Sequence, residues 1–218
     1  MLERKIIGLF STEDVPMIKF LLPGMLIALA LSASAAASDY HGFHIDESAQ
    51  RLAPDASASL TSQLDIVESS GLPPEVLAAL KQTPIVVDPG LRGNPGIFAV
   101  RAGAGAVYIR PVAFMPNKPI LLHELLHAYH FRVLRLERPE IQQAYQHARQ
   151  DGVFPASFQS AHFLENAKEF FAVTGTLYVF GDIQQPPFSC DALARLDAGY
   201  LAFLAEQFGP HACHAQGQ

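Results

Sequence analysis

Apolar and polar positions divide the chain into short segments of differing period. Residues 57–70 and 74–82 read as helices, split by the breaker cluster Ser69-Ser70-Gly71-Leu72-Pro73-Pro74. Pro84-Ile85-Val86-Val87-Asp88 is β-branched, short and closed by Pro89-Gly90, which predicts a strand. Residues 96–101 and 106–112 are two further strand candidates, and Gly103-Ala104-Gly105 suits a hairpin turn between them. Asn117-Lys118-Pro119 has the chemistry of a helix start, with Asn117 as cap, and predicts a helix to about Leu136. Further helices are expected over 138–150, from about Phe158 or His162 to Tyr178, and over 191–207. Residues 38–55 are polar and mixed and read as an irregular entry. Helices, a small sheet, then helices again indicate an α+β fold.

The N-terminus has a different character. Met17-Ile18-Lys19 opens a short basic segment, Phe20 to Leu31 is an apolar run, and Ser32 to Ala37 is rich in small residues. That order of parts predicts a secretory signal peptide, with Met17 as the natural start and residues 1–37 removed. The apolar run is too short for a membrane span. The remaining 38–218 form one domain, and export makes Cys190 and Cys213 a disulfide pair. The expected location is the periplasm or the extracellular space, and no stable membrane span is expected after cleavage.

Composition narrows the function classes. Half of the 218 residues are apolar and 17% are charged, which describes a chain able to build a core. The formal charge is −6, and no strongly basic patch marks a nucleic-acid surface. Removing residues 1–37 takes away three basic and three acidic residues, so the charge does not change.

The segment His123-Glu124-Leu125-Leu126-His127 matches H-E-x-x-H. Residues four apart on a helix share a face, so two imidazoles can converge on one zinc ion. Glu124 sits beside the first ligand, placed to act as general base on a zinc-activated water. His130 follows on roughly the same face, but three consecutive turns of a straight helix do not surround one ion. It reads instead as a packing or supporting residue. The third ligand has to come from elsewhere. In Glu165-Asn166-Ala167-Lys168-Glu169-Phe170-Phe171-Ala172, both glutamates fall on the predicted helix, and spacing alone does not choose between Glu165 and Glu169. The strand carrying Tyr108 and Arg110 is expected to be the sheet edge beside the cleft, where an extended peptide could add. His211 and His214 lie in a tail expected to be a loose end.

These motifs, H-E-L-L-H followed by Asn166-x-x-Glu169-Phe170-Phe171-Ala172, resemble the catalytic domain of anthrax-toxin lethal-factor-type zinc peptidases. They are also similar to other gluzincins with a Glu-Phe-Phe-Ala helix. The resemblance covers roughly residues 84–180. It implies a zincin-like fold, one zinc ion per chain, Glu169 as third ligand and Asn166 as a supporting residue. Two departures stand out. Thermolysin-like enzymes carry an aspartate four residues after the ligand glutamate, where this chain has Val173. The lethal-factor pattern also places a tyrosine seven residues before that glutamate, and here His162 stands there. The resemblance therefore implies a catalytic, anion-stabilising role for the His162 imidazole. The reading is an exported zinc-dependent peptidase, an endopeptidase acting on a peptide or protein. The alternatives are a non-catalytic zinc-binding module that recognises a peptide or envelope protein, and an interaction domain in which the motif is incidental.

Overall fold

The structure is a computed structural model and describes residues 37–150 and 152–213. Residues 1–36 of the leader read at the N-terminus, and His214, lie outside the described residues. The described chain is α+β: a five-stranded mixed sheet with helices packed around it. No helix among the described residues is long and apolar enough to cross a membrane.

The segment expected to be irregular forms a hairpin instead. Strands β1 (Ala37–Tyr40) and β2 (Phe43–Asp46) pair antiparallel through His41 and Gly42, both at positive φ. This two-residue loop matches the right-handed twist of its strands. In β2, Phe43 and Ile45 alternate inward while His44 is exposed, so half of its residues join the core. The polar composition of the segment hides that alternation.

Helices α1 (Pro54–Glu68) and α2 (Pro74–Lys81) then carry the chain to β3 (Ile85–Val87), which pairs parallel to β2. β4 (Gly96–Arg101) and β5 (Ala104–Ile109) form the expected hairpin, turning at Ala102 and Gly103 with φ of 50° and 82°. The sheet order is β1-β2-β3-β5-β4. β5 is therefore interior, pairing with β3 through Ile85–Val107 and with β4 through Phe98–Val107. The edge strands are β1 and β4. The expectation that the strand of Tyr108 and Arg110 forms the edge is corrected: β5 carries the buried Ala106, Val107 and Ile109, and its burial comes from a partner on each side.

Two helices run through the middle of the core. In α3 (Ile120–Tyr129), Leu121, Leu122, Leu125 and Leu126 are all fully buried, and Phe170, Phe171, Val173 and Leu177 of α5 (Ala167–Phe180) are likewise. Each such side chain contributes roughly 1.5–3 kcal/mol by leaving water. Gly175 lets the two helices approach closely, since a Cβ there would lie 3.2 Å from Leu126 Cδ1.

Helix α3 departs from expectation at both ends. Asn117 does not cap it. The side chain of Gln63, reaching over from α1, accepts from the Leu121 N–H (3.1 Å) and donates to the Lys118 carbonyl (2.8 Å). At the other end the helix stops at Tyr129 and widens into a π-helical turn, His130–Leu134, ending at Arg135 with φ of 68°. Helix α4 (Pro139–Ala148) follows.

The C-terminal part is more segmented than its apolar pattern suggests. Polar residues with extended backbone start new helices. Ser189 caps α6 (Cys190–Leu193) and Asp197 caps α7 (Ala198–Phe208), so the expected helix over 191–207 is two. A disulfide joins Cys190 to Cys213. His211 is buried, its ring edge-on to Tyr178 at 5.9 Å between centroids, so this part of the tail is packed down.

Candidate metal centre

Local sequence chemistry sets where α5 begins. Asn166 has extended backbone, and its Oδ1 accepts from the N–H groups of Lys168 and Glu169, both at 3.0 Å. A short amide side chain satisfies the first-turn donors best from outside the helix, so the helix starts at Ala167 rather than near Phe158. The preceding stretch forms two 3-10 turns, Ala156–Phe158 and His162–Leu164. Asn166 thus supports the site by fixing the backbone of Glu169. Glu165 falls before the helix, and the idea that both glutamates share one helical face is corrected.

Helices α3 and α5 pack together and bring three donor atoms to one point. Nε2 of His127 lies 3.1 Å from Nε2 of His123 and 3.1 Å from Oε2 of Glu169, and His123 Nε2 is 3.4 Å from that oxygen. Among the described residues, His123, His127 and Glu169 form the group of three whose ligand atoms lie within 4.8 Å of one another. Glu169, not Glu165, is the carboxylate at this point. Burial alone would raise the Glu169 pKa. The two imidazoles outweigh it and hold the carboxyl well below the ordinary range.

Glu124 lies one residue along the helix from His123 and is buried. Its Oε2 accepts from the backbone N–H of Phe98 on β4 at 2.6 Å. Burial raises its pKa above the usual carboxylate value, opposed by His123 and by that hydrogen bond. The edge strand and the motif helix are therefore tied together through this one side chain. Sequence reasoning missed Phe98 because its role depends on which strand is the edge, and strand order is a long-range property.

A cleft of about 850 Å³ opens over these groups. Its walls include Gly96, Ile97, Phe98 and Val100 of β4, Phe131 and Leu136 beyond α3, and Ile183 after α5. Lys118, Lys168 and Thr176 also line it, and none of these three stood out in the sequence. Tyr108 and Arg110 do not line it. The Arg101 guanidinium lies over the Tyr108 ring at 3.6 Å, and Arg110 donates to the Gly93 carbonyl at 2.9 Å.

His162 does reach the site, although it stands in a 3-10 turn rather than on the helix of Glu169. Its Nε2 is 2.9 Å from Glu169 Oε2, and its Nδ1 is 3.2 Å from Glu165 Oε1. His130 is fully buried, tilted against Phe171 with ring centroids 4.9 Å apart, and it is not one of the three grouped donors. No protein family, curated protein or solved structure matches this chain.

Proposed function

We propose that this chain is an exported zinc-dependent peptidase with a zincin-like architecture. The observation that carries the reading is the spacing of the three donors. Zinc binds imidazole nitrogen and carboxylate oxygen at about 2.0–2.1 Å in a tetrahedron, whose edge is then about 3.3 Å. The separations among His123, His127 and Glu169 are 3.1, 3.1 and 3.4 Å. Two imidazoles and one carboxylate are also a donor set suited to zinc, and they leave a fourth position for water or substrate. Zinc held by these residues supplies Lewis acidity toward a carbonyl and a water.

The chain's own residues provide the rest. Glu124 is not part of the donor triangle, and it adjoins the ligands in the same cleft. Its carboxylate is the group placed to take a proton from the attacking water and return it to the leaving amine. The exposed β4 edge forms one wall, so an extended peptide can lie along it and be held by backbone hydrogen bonds. The Phe131, Leu136 and Ile183 walls keep part of the cleft apolar. Export is supported by the signal-like leader and by the Cys190–Cys213 disulfide.

The test is zinc content by mass spectrometry together with cleavage of a peptide library, for wild type and Glu124→Gln. The expected result is about one zinc per chain in both proteins, with cleavage in the wild type alone. Zinc without cleavage would favour a binding module. Absence of zinc after reconstitution would end the metal reading.

A further inference from the structure

The motif accounts for His123, Glu124, His127 and Glu169 but not for the geometry around His162. Both ring nitrogens of His162 face carboxylates: Nδ1 meets Glu165 Oε1 at 3.2 Å and Nε2 meets Glu169 Oε2 at 2.9 Å. His162 is not in the donor group, even though its Nε2 is nearer to Glu169 Oε2 than either His123 or His127 is. It meets this oxygen from outside the donor triangle. A free imidazole rotates about two side-chain bonds. One with a carboxylate oxygen close to each nitrogen is confined between the two, and its Nε2 edge faces a chosen carboxylate oxygen.

The geometry points to a positioning latch, Glu165–His162–Glu169, in which Glu165 sets the His162 ring and His162 in turn aims the Glu169 carboxylate at the metal site. The inference rests on the zinc reading above. It gives His162 a role distinct from stabilising an anion on substrate, and gives Glu165 a role other than ligand. Two features favour it. Asn166 fixes the backbone of Glu169, but the carboxylate remains three rotatable bonds away, and among the described residues the protein contacts to its Oε2 all come from imidazoles. In addition, the 3-10 turn His162–Leu164 places residues 162 and 165 on one side, within reach of each other, just before the cap. Groups that orient a metal ligand in this way commonly change metal affinity about 10–100-fold when removed.

The experiment measures the zinc dissociation constant by competition with a chelating dye. The proteins are wild type, His162→Phe, Glu165→Ala, Glu165→Gln and the double variant His162→Phe/Glu165→Ala. Far-ultraviolet circular dichroism and melting temperature check the fold, and Glu165, being exposed, is expected to be tolerated. His162→Phe should weaken zinc about 10–100-fold. Glu165→Ala should weaken it several-fold in the wild type and less than about 2-fold when His162 is already Phe, because its effect passes through the ring. Glu165→Gln, which keeps a polar side chain of the same length against Nδ1, should restore most of the loss. An equal effect of Glu165→Ala in both backgrounds would overturn the latch, as would unchanged affinity in His162→Phe. A wild type that binds no zinc at all would instead overturn the metal reading, and the latch with it.

Discussion

His130 provides a test of the core that does not depend on zinc. Its side chain is fully buried and packs on Phe171. Burial, reinforced by the nearby His127 and Lys168 and opposed by the Leu136 backbone, drives the imidazole pKa down from 6.5 to about 4. The sign follows from proton counting. Between these two values the unfolded chain holds a proton at His130 that the folded chain does not, so stability falls as pH drops through this window. Above pH 6.5 both states are neutral and the group has no pH-dependent effect. By pH 4.5 the linkage amounts to about 2.5 kcal/mol. His130→Phe removes the titration while keeping a flat ring in the site, and any packing cost is independent of pH. Urea unfolding of the metal-free proteins at pH 7.5 and 4.5 measures it. Glu124 also has a shifted pKa, but it is present in both proteins and cancels. The stability difference between wild type and variant should move by about 2.5 kcal/mol in favour of the variant on acidification, roughly 1 M in urea midpoint. A difference that stays constant within about 0.5 kcal/mol would refute the reasoning, and His130→Leu guards against a peculiarity of the larger ring.

Three further outcomes are expected. Gln63→Ala removes both hydrogen bonds at the start of α3 and leaves the buried Leu121 N–H unpaired, so it should cost about 1–3 kcal/mol; an unchanged melting temperature would show that the cap is unimportant. Glu169→Ala should lower zinc affinity by more than about 10-fold in equilibrium dialysis, whereas a larger loss in Glu165→Ala would make Glu165 the ligand. Replacing both cysteines by alanine opens a 23-residue separation, and calorimetry should show a loss of about 3 kcal/mol; no loss would mean that the tail is held by packing alone.

Local chemistry made much of the site legible. The four-residue spacing of His123 and His127 needs only a helix to put both rings on one face. The glycines between two apolar segments mark the hairpin, although its turn falls at Ala102-Gly103 and not at the expected Gly103-Ala104-Gly105. The disulfide expected of the two cysteines is present between Cys190 and Cys213. The resemblance implies Asn166 as a support one turn before Glu169, and the cap that it forms is a local property of a short amide next to free N–H groups.

Other features have no local signal. Gln63 caps a helix 58 residues away, and only the packing of α1 on α3 brings it there. A one-dimensional pattern does not say which of two hairpin strands finds a third partner. Here β5 pairs with β3, which leaves β4 and the Phe98 N–H at the cleft. The choice between Glu165 and Glu169 was also left to tertiary structure, because it turns on where the helix begins relative to α3. By itself the sequence singled out the side chains whose types suit metal-ligand and proton-transfer chemistry, because side-chain type and helical period are local. Only the tertiary structure decided which carboxylate meets the histidines, which strand borders them and what holds His162, because those contacts join segments distant along the chain.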